Sequence, residues 1–104
     1  MSKVLGLGIA GLGTVGTGFL EQLKGLKTNS LKSANIRVVK IAVKSLKKKR
    51  DLPIKQLPLT SNTMSLAEED SIDVVVELIG GSKGIAYNLV KKSLRNKKHV
   101  ITAN

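Results

Sequence analysis

The sequence predicts an α/β fold, a doubly wound parallel sheet, and three features predict it. A glycine turn, "GLGTVG" at 11–16, stands between an apolar strand and an amphipathic helix. Two further apolar, β-branched segments, "IRVVKIAV" at 36–43 and "DVVVELIG" at 73–80, are spaced widely enough for crossover connections. A helix-period stretch over 83–95 then leads into a last apolar segment, "HVITA" at 99–103.

The first element raises a question of register. "GLGIAGLGTVG" at 6–16 contains G-x-G-x-x-G twice, once as Gly6, Gly8, Gly11 and once as Gly11, Gly13, Gly16. A phosphate-binding turn must follow a strand and open a helix. If the first copy were the turn, the strand would be only 1–5. The helix would then begin near Ile9 and carry Gly13, Gly16 and Gly18, each costing about 1 kcal/mol relative to alanine. With the second copy, 3–10 is the strand, with Leu5, Leu7 and Ile9 on one face and Val4, Gly6, Gly8 and Ala10 on the other. The helix begins near Thr14, and Val15, Phe19, Leu23 and Leu26 form one apolar stripe. Gly25 and "KTNS" end it. The second register is preferred.

Each glycine of that copy has its own duty. Gly11 permits the tight turn, Gly13 clears space for a pyrophosphate, and Gly16 lets helix and strand pack closely. The backbone N–H groups of Leu12, Gly13, Thr14 and Val15 would face the phosphates, reinforced by the helix dipole. The plainer alternative is a glycine turn that holds no ligand.

The rest of the chain alternates. Residues 27–35 are polar and read as a loop before the 36–43 strand. Pro53 and Pro58 exclude a continuous helix over 46–61. In "SLAEEDSID", Ser65 reads as an N-cap with Glu68 three residues on, opening a short helical turn. The 73–80 strand is the clearest. On the 83–95 helix, Ile85, Leu89, Val90 and Leu94 share a side, Tyr87 is expected to pack, and Lys91 and Lys92 face water. Asn96 reads as a left-handed stop. The order predicts a parallel sheet with right-handed crossovers and a ligand at the carboxyl ends of its strands. With no repeat or linker visible, 1–104 is one domain.

Composition narrows the function. The 104 residues are 41% hydrophobic and 24% charged, as in globular proteins. Aromatic residues amount to Phe19 and Tyr87, too few for the stacking platforms of single-stranded nucleic-acid binders. There is no cysteine and one histidine, so no metal site is expected. No apolar run approaches a membrane span, and the N-terminal apolar stretch lacks an A-x-A-like cleavage site. A cytoplasmic location is expected. A net charge of +11 attracts anions without choosing among them.

The end of the second strand, Val43-Lys44-Ser45-Leu46, lacks the carboxylate that usually holds an adenosine ribose. Instead "KSLKKKR" at 44–50 has five basic residues in seven. A 2′-phosphate fits that environment, with Lys44 and Arg50 the leading candidates to meet it. NADP is thus favoured with NAD possible, while a solvated basic loop or a nucleic-acid patch is the bland reading.

Three motifs go further. "GLGTVGTG" at 11–18, "IDVVVELIGG" at 72–81 and "KKHVITAN" at 97–104 together resemble the N-terminal, Rossmann-like nucleotide-binding domain of homoserine dehydrogenase, in order and across nearly the whole chain. The resemblance implies reversible hydride transfer between a nicotinamide cofactor and L-homoserine or L-aspartate 4-semialdehyde, on the threonine and methionine branch of aspartate metabolism. It implies that Gly11 to Gly16 hold the pyrophosphate, that Leu78, Ile79, Gly80 and Gly81 line the nicotinamide side, and that Thr102, Ala103 and Asn104 lie beside the nicotinamide ribose.

There are departures from the family pattern. The proline common after the paired glycines is absent from Gly81-Ser82-Lys83-Gly84, and Lys44 stands where an arginine is frequent. The family's proton-transfer lysine follows "TAN", and this chain stops at Asn104. No catalytic residue is therefore assigned. The chain is expected to bind cofactor as part of a longer enzyme, with the amino-acid substrate and homo-oligomer formation belonging to the whole protein. Taken alone it is expected to self-associate or be marginally stable.

His99, at the amino end of its strand, reads as structural rather than acid–base. Glu77 is open between a cofactor ribose ligand and an anchor for backbone amides. Two other functions stay in view. One is a nucleotide-sensing domain without chemistry; the other, the weaker, is a basic nucleic-acid module.

Overall fold

A strand covered on both faces needs apolar residues in both alternating sets, and "LGLGIA" supplies them with small ones on one side. This segment, β1 (Leu5–Ala10), lies at the centre of the sheet in a computed structural model of the chain. The structure describes residues 4–11, 18, 36–44, 46, 58–79 and 84–102. The other described elements are β2 (Ile36–Ala42), β3 (Leu59–Thr60), α1 (Ser65–Glu68), β4 (Val74–Glu77), α2 (Ile85–Arg95) and β5 (His99–Thr102). The strands are all parallel and ordered β3-β2-β1-β4-β5, the order of dinucleotide-binding sheets. No described helix is long and apolar enough to cross a membrane.

The glycines of β1 explain themselves through packing. A Cβ on Gly6 would lie 1.9 Å from the Ser71 carbonyl oxygen, and one on Gly8 would lie 2.7 Å from Ile72 Cδ1. The segment leading into β4 therefore crosses directly over bare backbone. Gly6 N–H donates to Asp73 Oδ2 and Asp73 N–H to the Gly6 carbonyl, both at 2.8 Å. The first glycine copy belongs to the strand, as the register argument expects.

Two apolar clusters sandwich the sheet. Leu7, Ile9, Ile41, Val43, Val74 and Val76 form one. Ala10, Ala42, Leu66, Ala67, Ile72, Val75 and Leu89 form the other, against which α1 and α2 pack. A bulge in β2 sorts its residues between them. Leu7 pairs with Val38 but Gly8 with Lys40, so Val39 is the extra residue. Ile36 and Val38 precede the bulge, Ile41 and Val43 follow it, and all four serve the first cluster, while Val39 packs on the second. Lys40, inside an otherwise apolar run, thereby reaches Glu69 beyond α1, Nζ to Oε1 3.3 Å.

The structure departs from the sequence-based expectations at five points. A fifth strand, β3, lies at the sheet edge within the stretch expected to be irregular. It is two residues long and held by Ile41 N–H to the Pro58 carbonyl and Val43 N–H to the Thr60 carbonyl, so the proline is needed only as an acceptor. Ser65 is not the N-cap but the first residue of α1, its hydroxyl donating to the Asn62 carbonyl at 2.6 Å. The buried face of α2 is Ala86, Leu89 and Ser93, with Val90 half-buried beside them. Ile85 and Leu94 are 49% and 59% exposed, because the close seat against α1 and the sheet takes small residues. Ser93 is buried at no polar penalty, since its hydroxyl donates to the Leu89 carbonyl at 2.7 Å. Tyr87 is exposed rather than packed.

The fifth difference is the end of α2. Asn96 is not left-handed; Lys97 is, at φ 62°. Lys97 N–H donates to the Leu94 carbonyl and Lys98 N–H to the Ser93 carbonyl, the paired bonds of a Schellman stop. The Asn96 amide instead donates to the Ala67 carbonyl at 2.6 Å, and Lys98 Nζ donates to the carbonyls of Glu69 and Ile72 at 2.7 Å each. This turn thus supplies donors to one carbonyl of α1 and to two in the segment between α1 and β4. An ion pair between Lys92 and Glu68 joins the two helices on their solvent side.

Candidate functional site

In an open parallel sheet the ligand crevice lies at the carboxyl ends of the strands, where successive connections leave in opposite directions. Here that point is between β1 and β4. β1 leads to β2 on one side, and β4 returns on the other. The residues after β1 and β4 therefore form the candidate site.

Gly11 follows β1 with φ 102°, a conformation that L side chains rarely adopt. Its N–H donates to the Ala42 carbonyl at 2.9 Å, tying the end of β1 to that of β2. Leu78 N–H donates to the Ala10 carbonyl at 2.9 Å, tying β4 in from the other side. A Cβ on Gly11 would lie 3.2 Å from the carbonyl carbon and oxygen of Leu78 and 3.3 Å from Ile79 N. Two exits of backbone thus come together at the switch point with no side chain between them. That contact and the positive φ account for Gly11 as the glycine of the tight turn; the clearance for a pyrophosphate is expected at Gly13, outside the described residues.

Glu77 ends β4 inside this edge and is 1% exposed. Its Oε2 accepts from Ile79 N–H at 2.7 Å, and its Oε1 accepts from the Thr102 hydroxyl at 2.6 Å. Glu77 and Thr102 are also register partners on β4 and β5. Of the two roles open for Glu77 in the sequence, the geometry supports the anchor of a loop amide. The bond to Thr102 had no signal in the sequence, because it depends on which strand lies beside β4. With its proton given to a carboxylate, the Thr102 oxygen can only accept from any other partner.

The remaining site residues divide between described and undescribed positions. Gly11, Leu78, Ile79 and Thr102 gather at the carboxyl edge of β1, β4 and β5. Leu78 and Ile79 are half-buried, one side chain packed on each apolar cluster, so it is their backbone that faces Gly11. Lys44 follows β2 at the same edge and is exposed. Leu12, Gly13, Thr14, Val15, Gly16, Arg50, Gly80, Gly81, Ala103 and Asn104 lie outside the described residues, as does most of the helix expected after Thr14. Gly18, described within it, is helical.

His99 sits at the opposite edge. Its imidazole is exposed, and its backbone N–H donates to the Asp73 carbonyl at 3.0 Å. It lines a groove with Leu5, Asp70, Asp73, Lys97 and Lys98, at the amino ends of the strands and away from Gly11.

A family model described as "Homoserine dehydrogenase, NAD binding domain" matches residues 11–104. The homoserine dehydrogenase of Bacillus subtilis is 35% identical over 104 residues, covering 98% of this chain and 24% of that protein. The crystal structure of Staphylococcus aureus homoserine dehydrogenase at pH 6.0 superposes with a TM-score of 0.90 at 35% identity, over 100% of this chain and 27% of the other. That of a homoserine dehydrogenase from Thiobacillus denitrificans gives 0.85 at 42% identity, over 98% and 24%. The chain thus spans about a quarter of the length of the relatives it matches.

Proposed function

The chain belongs to the homoserine dehydrogenase family as its NAD-binding domain, and from that premise we propose that it holds NADP in preference to NAD. The observation that carries the preference is Lys44, exposed at the end of β2 and opening a basic segment, while the turn at Gly11 beside the Leu78–Ile79 backbone supports a dinucleotide at the switch point. Gly11 opens the turn at which Leu12 to Gly16 take the diphosphate. Lys44, exposed at the end of β2, meets the 2′-phosphate with Arg50, the two ending a 44–50 segment that has five basic residues and no carboxylate in its sequence. Leu78 to Gly81 and Thr102 to Asn104 border the nicotinamide half.

The chemistry such a cofactor supplies is hydride transfer. In the longer enzyme this domain serves the interconversion of L-homoserine and L-aspartate 4-semialdehyde, toward threonine and methionine, in the cytoplasm and as a homo-oligomer. Family membership favours this reading over a nucleotide-sensing domain without chemistry. Substrate turnover is a property of the longer enzyme, and this chain's part is to seat the dinucleotide.

Calorimetry at low salt tests the cofactor assignment. NADPH is expected to bind saturably and about tenfold more tightly than NADH, the worth of one charge-assisted phosphate contact. Lys44→Glu should bring the two affinities together by weakening NADPH alone. Equal affinities in the unmodified chain would refute the preference, and no heat from either cofactor would refute the site.

A further inference from the structure

We propose that Glu77 is a positioning residue for the nicotinamide half of the cofactor site, an inference that rests on the dinucleotide reading above. Three valines precede it in β4, and strand packing alone asks for a fourth apolar residue. A carboxylate buried at this depth is tolerated only where hydrogen bonds compensate its lost hydration. Both its oxygens are so engaged, at 2.7 Å by Ile79 N–H and at 2.6 Å by the Thr102 hydroxyl. The two donors belong to different elements and both face the carboxyl edge. One is the turn that abuts Gly11; the other is the last described residue of β5.

The consequence is geometric. Bonds to an ionised acceptor are shorter and stronger than neutral ones, so Glu77 holds the turn after β4 and the end of β5 at a set separation. It also fixes the rotamer and proton direction of Thr102. Thr102 is exposed and lies on an edge strand, and the bond to Glu77 ties its hydroxyl to the sheet. A site whose supporting groups lock its contacts binds better than one that must order them on binding. Both bonded groups, the Ile79 N–H and the Thr102 hydroxyl, lie in the segments proposed to border the nicotinamide half, so the effect of Glu77 is expected to be confined to that half.

That confinement provides the test. Affinities of the 104-residue chain and of Glu77→Gln, Thr102→Val and Thr102→Ser are measured by calorimetry for two probes. One is the better-binding dinucleotide; the other is its adenosine half, 2′,5′-ADP for NADPH or ADP for NADH. Glu77→Gln and Thr102→Val should each weaken the dinucleotide about tenfold, the worth of a hydrogen bond to a charged group. Both should leave the adenosine half within about twofold, and Thr102→Ser should restore dinucleotide binding. Thr102→Val breaks the pair from its exposed end, so the test survives if Glu77→Gln fails to fold. Unchanged dinucleotide affinity, or equal weakening of both probes, overturns the positioning role while leaving the cofactor assignment standing. Failure of the unmodified chain to bind either probe overturns both.

Discussion

Gly6→Ala separates the two readings of the overlapping glycine motif. The added Cβ would lie 1.9 Å from the Ser71 carbonyl oxygen, about 1.4 Å inside an ordinary carbon–oxygen contact of about 3.3 Å. The obstacle is backbone, and it is pinned by the two 2.8 Å bonds between Gly6 and Asp73. Overpacking of this kind costs about 1–3 kcal/mol, and loosening those bonds adds about 1–2 kcal/mol. A loss of about 2–5 kcal/mol is therefore expected, against a total of about 5–15 kcal/mol for a domain of this size. The melting temperature should fall by about 8–40 °C. Gly8→Ala meets Ile72 Cδ1 at 2.7 Å, with Ile72 Cγ2 at 3.2 Å and Leu66 Cδ2 at 3.3 Å, side-chain rather than backbone atoms but in the buried core, so about 1–3 kcal/mol is expected. Gly18→Ala, helical with nothing within 4 Å, should instead stabilise by about 0.5–1 kcal/mol. Urea unfolding followed by far-UV circular dichroism gives the ranking, and cofactor titration of each folded variant gives the second axis. A Gly6→Ala protein that melts with the unmodified chain but no longer binds dinucleotide would refute the reasoning. It would move the ligand turn back to the first copy.

Two other perturbations test the surrounding scaffold. Lys97 holds a left-handed conformation at φ 62°, so Lys97→Gly should raise stability by about 1 kcal/mol; a lower urea midpoint would show that its side chain does more than occupy the turn. The hydrogen bond from Lys40, and then its charge, hold the Glu69 carboxyl below its ordinary value of 4.5. Glu69 therefore contributes stability above the unfolded-state value, and the contribution disappears as pH falls through the lower folded value. Lys40→Met should shallow the acid limb of a stability-against-pH curve below about pH 4.5 and leave its neutral region nearly parallel; identical acid limbs would refute the coupling.

The legible parts of the fold are those set by short-range physics. Apolar runs of strand length marked β1, β2, β4 and β5 to within a few residues, and the cost of glycine inside a helix chose the register at Gly11. β3 was not legible, since two residues carry no period and their strand character comes from β2 beside them. The buried face of α2 was misjudged for a related reason. Size favoured Ile85 and Leu94, but a helix seated closely on α1 and β4 buries Ala86 and Ser93 instead. Likewise the stop after α2 took Lys97 rather than Asn96 into the left-handed region, because the Asn96 amide is needed at the Ala67 carbonyl.

The candidate site divides the same way. Gly11 and the "ELIGG" and "VITAN" segments are visible in the chain as written, because a turn that must be bare and strands that must be apolar impose residue types locally. The sequence alone therefore determined an α/β domain with a parallel sheet and a candidate ligand edge at the carboxyl ends of its strands. Only the tertiary structure decided why Gly6 and Gly8 must be bare, how a bulge at Val39 sends Lys40 to Glu69, and that Glu77 grips Thr102. Those outcomes depend on distances between segments up to 67 residues apart, and local preference carries no information about which backbone will arrive to fill the space.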